Sequence, residues 1–126
     1  MKTDRVFAIL GGVSGFLAVA AGAFAAHALR QKLPPDSLSV FETGARYQMY
    51  HAFALFAAAW AATKWPTPSI HLAGWCFVVG TVLFSGSLYL LALTESRWMG
   101  AITPLGGLVF LVGWLALAWG AWKQSP

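Results

Sequence analysis

The residues able to do chemistry crowd into one stretch, Phe41 to His51, which carries Glu42, Arg46, Tyr47, Gln48, Tyr50 and His51 and runs without a turn signal into an apolar segment. If the stretch is helical, Glu42 and Arg46 are i,i+4 neighbours in the favourable orientation, and Tyr47 and His51 form a second such pair. Three kinds of chemistry are open to this set. The carboxylate and guanidinium can act as a coupled pair, neutralising one another where solvation is incomplete. Glu42, Arg46 and His51, joined by Tyr89, can line a half-membrane vestibule for protons or a small solute, because ionisable groups within a bilayer face the bundle interior or water and usually have a partner. His51 and His27 can ligate a haem iron, since histidine is a common axial ligand and bundle cores host cofactors. Two histidines are a weak signal for haem, however, because a His satisfied by packing or sitting at an interface is several times commoner.

No enzymatic constellation accompanies them. The sequence shows no Ser-His-Asp set, no Gly-rich phosphate loop and no His-x-x-x-His spacing. The single cysteine, Cys76, lies in an apolar run, so it forms no intramolecular disulfide and no cysteine-based metal motif and reads as a small buried hydrophobe. The expectation is therefore a protein that is not an enzyme, with no catalytic residue, no metal ligand and no cofactor.

The elements that must position these residues are set by composition. Of 126 residues, 59% are hydrophobic and only 10% are charged, and the mean hydropathy is +0.67, which places the chain among membrane proteins and limits it to one domain, residues 1–126. The net charge of +4 does not point to nucleic acid, because the Lys and Arg residues stand one or two at a time beside apolar runs, as membrane anchors do.

Four helices follow, at about residues 6–29, 38–63, 70–93 and 102–122, giving an all-α integral membrane four-helix transmembrane bundle. The first run, Val6 to Leu29, competes with a signal-peptide reading that ends near Ala23-Phe24-Ala25-Ala26, but it exceeds a typical signal core and carries spaced glycines, so it reads as a span. Pro34-Pro35 ends it, and Asp36 or Ser37 is the expected cap of the second helix. In that helix the uninterrupted apolar part, Ala52 to Ala62, is too short to span alone, so the polar stretch must contribute. Counted from Lys64 at the far interface, His51 lies roughly 20 Å in and Arg46 about 27 Å in. Lys64-Trp65-Pro66-Thr67-Pro68-Ser69 forms loop two and Thr94 to Gly100 forms loop three, after which Pro104 is expected in the first turn of the fourth helix.

With four spans, polar residues from separate helices meet toward the side of loops one and three. The candidate binding cluster is His27, Glu42, Arg46, Tyr47, Gln48, His51, Ser85, Ser87, Tyr89 and Thr103. Small residues let helix backbones approach, and Gly11, Gly15 and Gly22 in the first helix and Gly106, Gly113 and Gly120 in the fourth form two expected packing seams. The plain alternative is that hydroxyls and glycines pack helices, tyrosines belt the interface and Arg46 snorkels. The leading functional expectation is a structural or interaction protein whose partners are the lipid bilayer, further copies of itself (a homo-oligomer) or a larger membrane complex, with no nucleic acid. A small carrier or channel comes second and a haem-binding redox protein third. Lys2, Arg5, Lys64 and Lys123 flank one side against Arg30, Lys32, Arg97 and Arg46 on the other, so basic residues do not decide orientation, and the lean is to cytoplasmic termini.

Four strings also carry a resemblance: Gly22 to Leu29, Phe41 to His51, Phe84 to Leu91, and Ile102 to Gly107. Together they make the chain, over nearly its whole length, similar to the small multi-pass YgdD-like membrane family, with Ala25 standing where that pattern commonly has glycine. The resemblance implies a bacterial inner-membrane protein with relatives in mitochondria-bearing organisms, and a family of unknown function. It implies no catalytic residue and no cofactor.

Overall fold

The computed structural model describes residues 1–123, and these form four helices joined by short turns: α1 Thr3–His27, α2 Pro35–Lys64, α3 Pro68–Thr94 and α4 Arg97–Lys123, with one 3₁₀ turn, Leu29–Gln31, after α1. Each helix starts a few residues earlier than the apolar pattern alone indicates, and the causes are local. α2 begins at Pro35, whose missing N–H is no loss at a helix start, so Asp36 stands in the first turn and is not the cap. There its carboxylate faces the positive end of the helix dipole. Thr67 caps α3, its Oγ1 accepting from the Ile70 N–H at 3.4 Å. α3 closes at Glu95, a non-glycine residue in the left-handed region with φ 56°, whose N–H bonds the Leu91 carbonyl.

The largest departure is in α4, which begins at Arg97 and passes through Pro104 instead of starting around it. The first turn is already formed before the proline, with the Met99 N–H on the Ser96 carbonyl. Pro104 then sits inside the helix, where it cannot donate to the Gly100 carbonyl.

The helices pack in chain order, α1 on α2, α2 on α3 and α3 on α4, while α1 and α4 do not meet. α1, α3 and α4 are long and apolar enough to cross a membrane by themselves, and α2 is not. Its position explains this. Held between α1 and α3, α2 turns Gln48 and His51 inward and buries Ala52, Leu55 and Ala58 beside them, so it crosses with its neighbours although its sequence is less apolar. Tryptophans mark both ends of the bundle, with Trp98 near loop three and Trp60, Trp119 and Trp122 toward the other side, all exposed as interfacial anchors are.

Two apolar clusters hold the ends. Toward loop two, the Phe7 ring fills the space left by Gly74 and packs with Leu55, Ala58, Ala73 and Phe77. Toward loop one, Ala25 and Leu29 pack on Phe41 and Ala92. Ala25 is only 1% exposed, so the alanine is accommodated within a close contact. The polar residues of α2 lie between these two clusters.

Candidate functional site

Gln48 is the centre of a buried polar layer. It follows Phe41, Gly44 and Ala45 on the inward stripe of α2, so its amide is carried between α1 and α3. Its Nε2 donates to the Ser14 carbonyl at 3.1 Å and lies 3.4 Å from the Ser14 hydroxyl, and its Oε1 accepts from the Tyr89 hydroxyl at 2.6 Å. The carbonyl of Ser14 can only accept, which fixes the amide orientation. One side chain thus ties three helices together.

A second tie lies beside it. Ser85, fully buried, donates to the Gly44 carbonyl at 2.7 Å. That approach needs the glycine, since a Cβ at position 44 would lie 2.9 Å from the Tyr89 ring. The third tie joins α3 to α4. The Ser87 and Thr103 hydroxyls are 2.6 Å apart, and each is also within reach of a carbonyl of its own helix, Phe84 and Met99 respectively. One hydroxyl can donate across the interface while the other donates along its helix.

His51 is enclosed on every side. Its Nδ1 lies 2.7 Å from the Tyr47 carbonyl, and its Nε2 lies 3.1 Å from the Trp114 indole N–H. A carbonyl only accepts and an indole N–H only donates, so Nδ1 carries the proton and Nε2 is the acceptor. The imidazole is therefore neutral with both nitrogens engaged. Phe110 stacks on its face with ring centroids 3.5 Å apart. His51 has no free nitrogen to offer an iron.

The expected cluster divides. Gln48, His51, Ser85, Ser87, Tyr89 and Thr103 all join the interhelical network. His27, Glu42 and Arg46 do not: all three are exposed, and neither Glu42 nor Arg46 has a hydrogen-bond or ion-pair partner among the described residues. The two charges are thus not the coupled pair that their spacing suggests. Tyr47 is 37% exposed; its carbonyl meets His51 Nδ1, and its ring packs on Phe84 and lies nearly parallel to the His51 ring, with centroids 6.5 Å apart. Ser14, Gly44 and Trp114 belong to the site although their types did not single them out. Gly44 and Gln48 share one helical stripe, which is a usable signal, whereas nothing in the sequence separates Trp114 from the other six tryptophans.

The glycine seams divide too. On α4, Gly106, Gly113 and Gly120 all face α3, with an added Cβ meeting the Phe84 backbone, the Phe77 ring and Ile70 respectively. On α1, an added Cβ at Gly11 would lie 3.1 Å from the Ala52 carbonyl oxygen, one at Gly15 would have only an ordinary contact at 3.8 Å, and one at Gly22 would meet nothing within 4 Å. Gly22 is therefore not a packing position: α1 and α2 leave space there. Gly74 and Gly80 do receive rings, from Phe7 and Phe110.

The arrangement can hold helices in register. Among the described residues no buried side-chain nitrogen or oxygen lacks a partner, so no polar atom inside the bundle stands unpaired. The groove of about 360 Å³ that reaches Gln48 and Tyr89, between α1 and α3, is otherwise walled by residues such as Leu10, Val78 and Val82 and opens sideways.

Comparison with known proteins agrees with this architecture. The family described as "Protein of unknown function (DUF423)" matches residues 21–107, which include most of the polar layer. The chain belongs to this DUF423 family. Its relatives include the UPF0382 membrane protein YwdK of Bacillus subtilis (strain 168), 48% identical over 120 residues that cover 94% of this chain and 98% of that protein. The UPF0382 membrane protein SSP2132 of Staphylococcus saprophyticus is 47% identical over 119 residues, covering 94% and 98%. A UPF0382 membrane protein of Haemophilus influenzae is 44% identical over 116 residues, covering 92% and 93%. No solved structure matches the chain. The DUF423 assignment agrees with the family resemblance of the four strings, and the bacterial membrane relatives agree with a multi-pass protein of the bacterial inner membrane. No specific biochemical activity comes with the family.

Proposed function

We propose that this protein is a structural or interaction component of the membrane, associating through its outer faces with lipid, with further copies of itself or with a larger complex, and performing no reaction of its own. The observation that carries this reading is the disposition of its polar groups. Those inside the bundle bond one another across helices, and the charged ones, Glu42 and Arg46, stand outside. A carrier needs polar atoms that exchange partners along a path, and intramembrane ionisable residues are the usual mark of one. Here the one buried ionisable group of α2 that could relay a proton, His51, is closed off by Tyr47, Trp114 and Phe110.

Purified protein in liposomes with an imposed pH gradient and an entrapped pH-sensitive dye tests this. The expected trace matches protein-free liposomes at every protein-to-lipid ratio. Proton flux that rises with protein and disappears in His51→Leu and Tyr89→Phe would establish the carrier reading instead.

A further inference from the structure

The face of α2 roughly opposite Gly44 and His51 borders a second groove, about 470 Å³, between α1 and α2. Gly11, Gly12, Gly15 and Ala52 line it with small residues, and the exposed rings of Phe16 and Phe53 line it as well. The α2 residues that border it, Phe56, Phe53 and Met49, continue at three- and four-residue steps to Arg46 and Glu42, on the same helix face. On α1 the line continues to Ala18 and Gly22. There a further depression of about 250 Å³ is lined by these residues with Ala45, Glu42 and Arg46, at the place where Gly22 leaves open space. The two depressions share no lining residue but neighbour one another along the same pair of helices, the first apolar and the second carrying the charges, and together they define the α1–α2 slot.

The charged end has a definite order with depth. Counted along α2 from Lys64, Arg46 lies about 27 Å and Glu42 about 33 Å away, so the two straddle the limit of a hydrocarbon core roughly 30 Å thick. The cation is on the inner side and the carboxylate on the outer side. Both are exposed and unpaired among the described residues. A zwitterionic aminophospholipid presents the matching order, with acyl chains innermost, then the phosphate, then a primary ammonium outermost. Arg46 can fork two N–H bonds onto the phosphate, and Glu42 can accept from the ammonium. A lipid with an uncharged headgroup leaves the carboxylate without a cation, and a quaternary ammonium has no N–H to donate.

We propose that the α1–α2 slot binds one phosphatidylethanolamine-type lipid, with an acyl chain over Gly12 and Gly15 and the headgroup between Arg46 and Glu42. This rests on the association reading above and names lipid as the occupant of one outer face. The site would be an ordered position on the bundle surface, distinct from the moving lipids around it.

Native mass spectrometry of the full chain, released from micelles containing equal amounts of dioleoyl phosphatidylethanolamine, phosphatidylcholine and phosphatidylglycerol, tests it. The expected result is one retained phosphatidylethanolamine, preferred about tenfold over the other two, the scale of one charge-assisted hydrogen bond. Glu42→Gln should remove the preference, and Arg46→Gln should weaken retention of all three. Gly12 lines the slot and has open space where a Cβ would stand, so Gly12→Leu is the blocking variant and should abolish retention while thermal stability is unchanged. Equal retention of the three lipids, or retention unaffected by Gly12→Leu and both charge substitutions, would mean adventitious lipid only and would overturn the site. The flux assay is a separate readout, so loss of lipid preference without flux overturns the slot and leaves the association reading standing, whereas flux overturns the association reading and with it the ground of this proposal.

Discussion

Tyr89 and Gln48 carry their weight as a pair. Removing the Tyr89 hydroxyl leaves the Gln48 Oε1 buried without its donor, and an orphaned acceptor costs about 1 to 3 kcal/mol in protein interiors, although interhelical hydrogen bonds within membranes average nearer 0.6. Tyr89→Phe is therefore expected to lower unfolding stability in micelles by about 1 kcal/mol. Combining it with Gln48→Leu should cost less than the sum of the two single changes, because the double variant removes both ends of the bond. Strict additivity in denaturant titrations would show that the pair does not interact. The sequence marks Gln48 and His51 as polar residues in an apolar helix, and that much was legible. Their partners were not, because Ser14 is one small residue among many in α1 and Trp114 is one of seven tryptophans in the chain. Which of them meets α2 depends on the rotation of α1 and α4, and apolar patterning is a poor guide to rotation when a helix is oily on every face.

Helix contacts separate the glycines into those that receive a neighbour and those that do not. At Gly113 an added Cβ would lie 2.8 Å from the Phe77 ring, and at Gly106 it would meet the backbone of Phe84. Gly113→Leu and Gly106→Leu should thus each destabilise by at least the 1 to 3 kcal/mol typical of overpacking, read as a lower thermal midpoint and loss of monodispersity. Gly22→Leu should change neither. A stable, monodisperse Gly106→Leu protein would show that α3 and α4 do not approach as described. The same logic applies to Glu42 and Arg46. A buried ion pair broken at one end loses about 3 to 5 kcal/mol, whereas exposed helical neighbours contribute only about 0.2 to 0.5. Because both side chains are exposed, Glu42→Gln and Arg46→Gln are each expected to leave folding and accumulation within about 0.5 kcal/mol of the parent, with additive effects in the double variant. The seven-residue repeat of glycines in α4 was readable and does face α3. The similar-looking spacing in α1 was misleading at Gly22, since close approach needs a neighbour opposite, and a Cβ there would meet nothing within 4 Å although Ala18 and Ala25 on either side are buried. Gly44, Gly74 and Gly80 formed no regular repeat. They are explained by rings arriving from other helices, information that sits elsewhere in the chain.

The whole molecule is two apolar clusters with a polar layer between them, stitched across four helices that pack in chain order. Number of helices, loop positions and membrane class were legible because prolines, interfacial tryptophans and apolar run lengths are local signals. The open arrangement, in which α1 and α4 do not touch, was not, because it depends on which faces pair. The arrangement has a functional consequence: the layer is reached from the side through the groove between α1 and α3, walled mainly by apolar residues, and along the bundle axis it is covered by Phe7, Phe77 and Leu55 at one end and by Leu29 and Phe41 at the other. Sealed from water, hydrogen-bonded groups strengthen the assembly without providing a route through it. The most direct measurement of this is water-to-protein magnetisation transfer by solid-state NMR on the protein in lipid bilayers, read at the His51 ring, the Gln48 amide and the Trp114 indole N–H. The expected result is the His51 signal of an imidazole with Nδ1 protonated and Nε2 bare, and transfer to all three groups as slow as to the buried alanines of α2. Fast transfer to His51 and Gln48, or a protonated Nε2, would place water in the layer and contradict it.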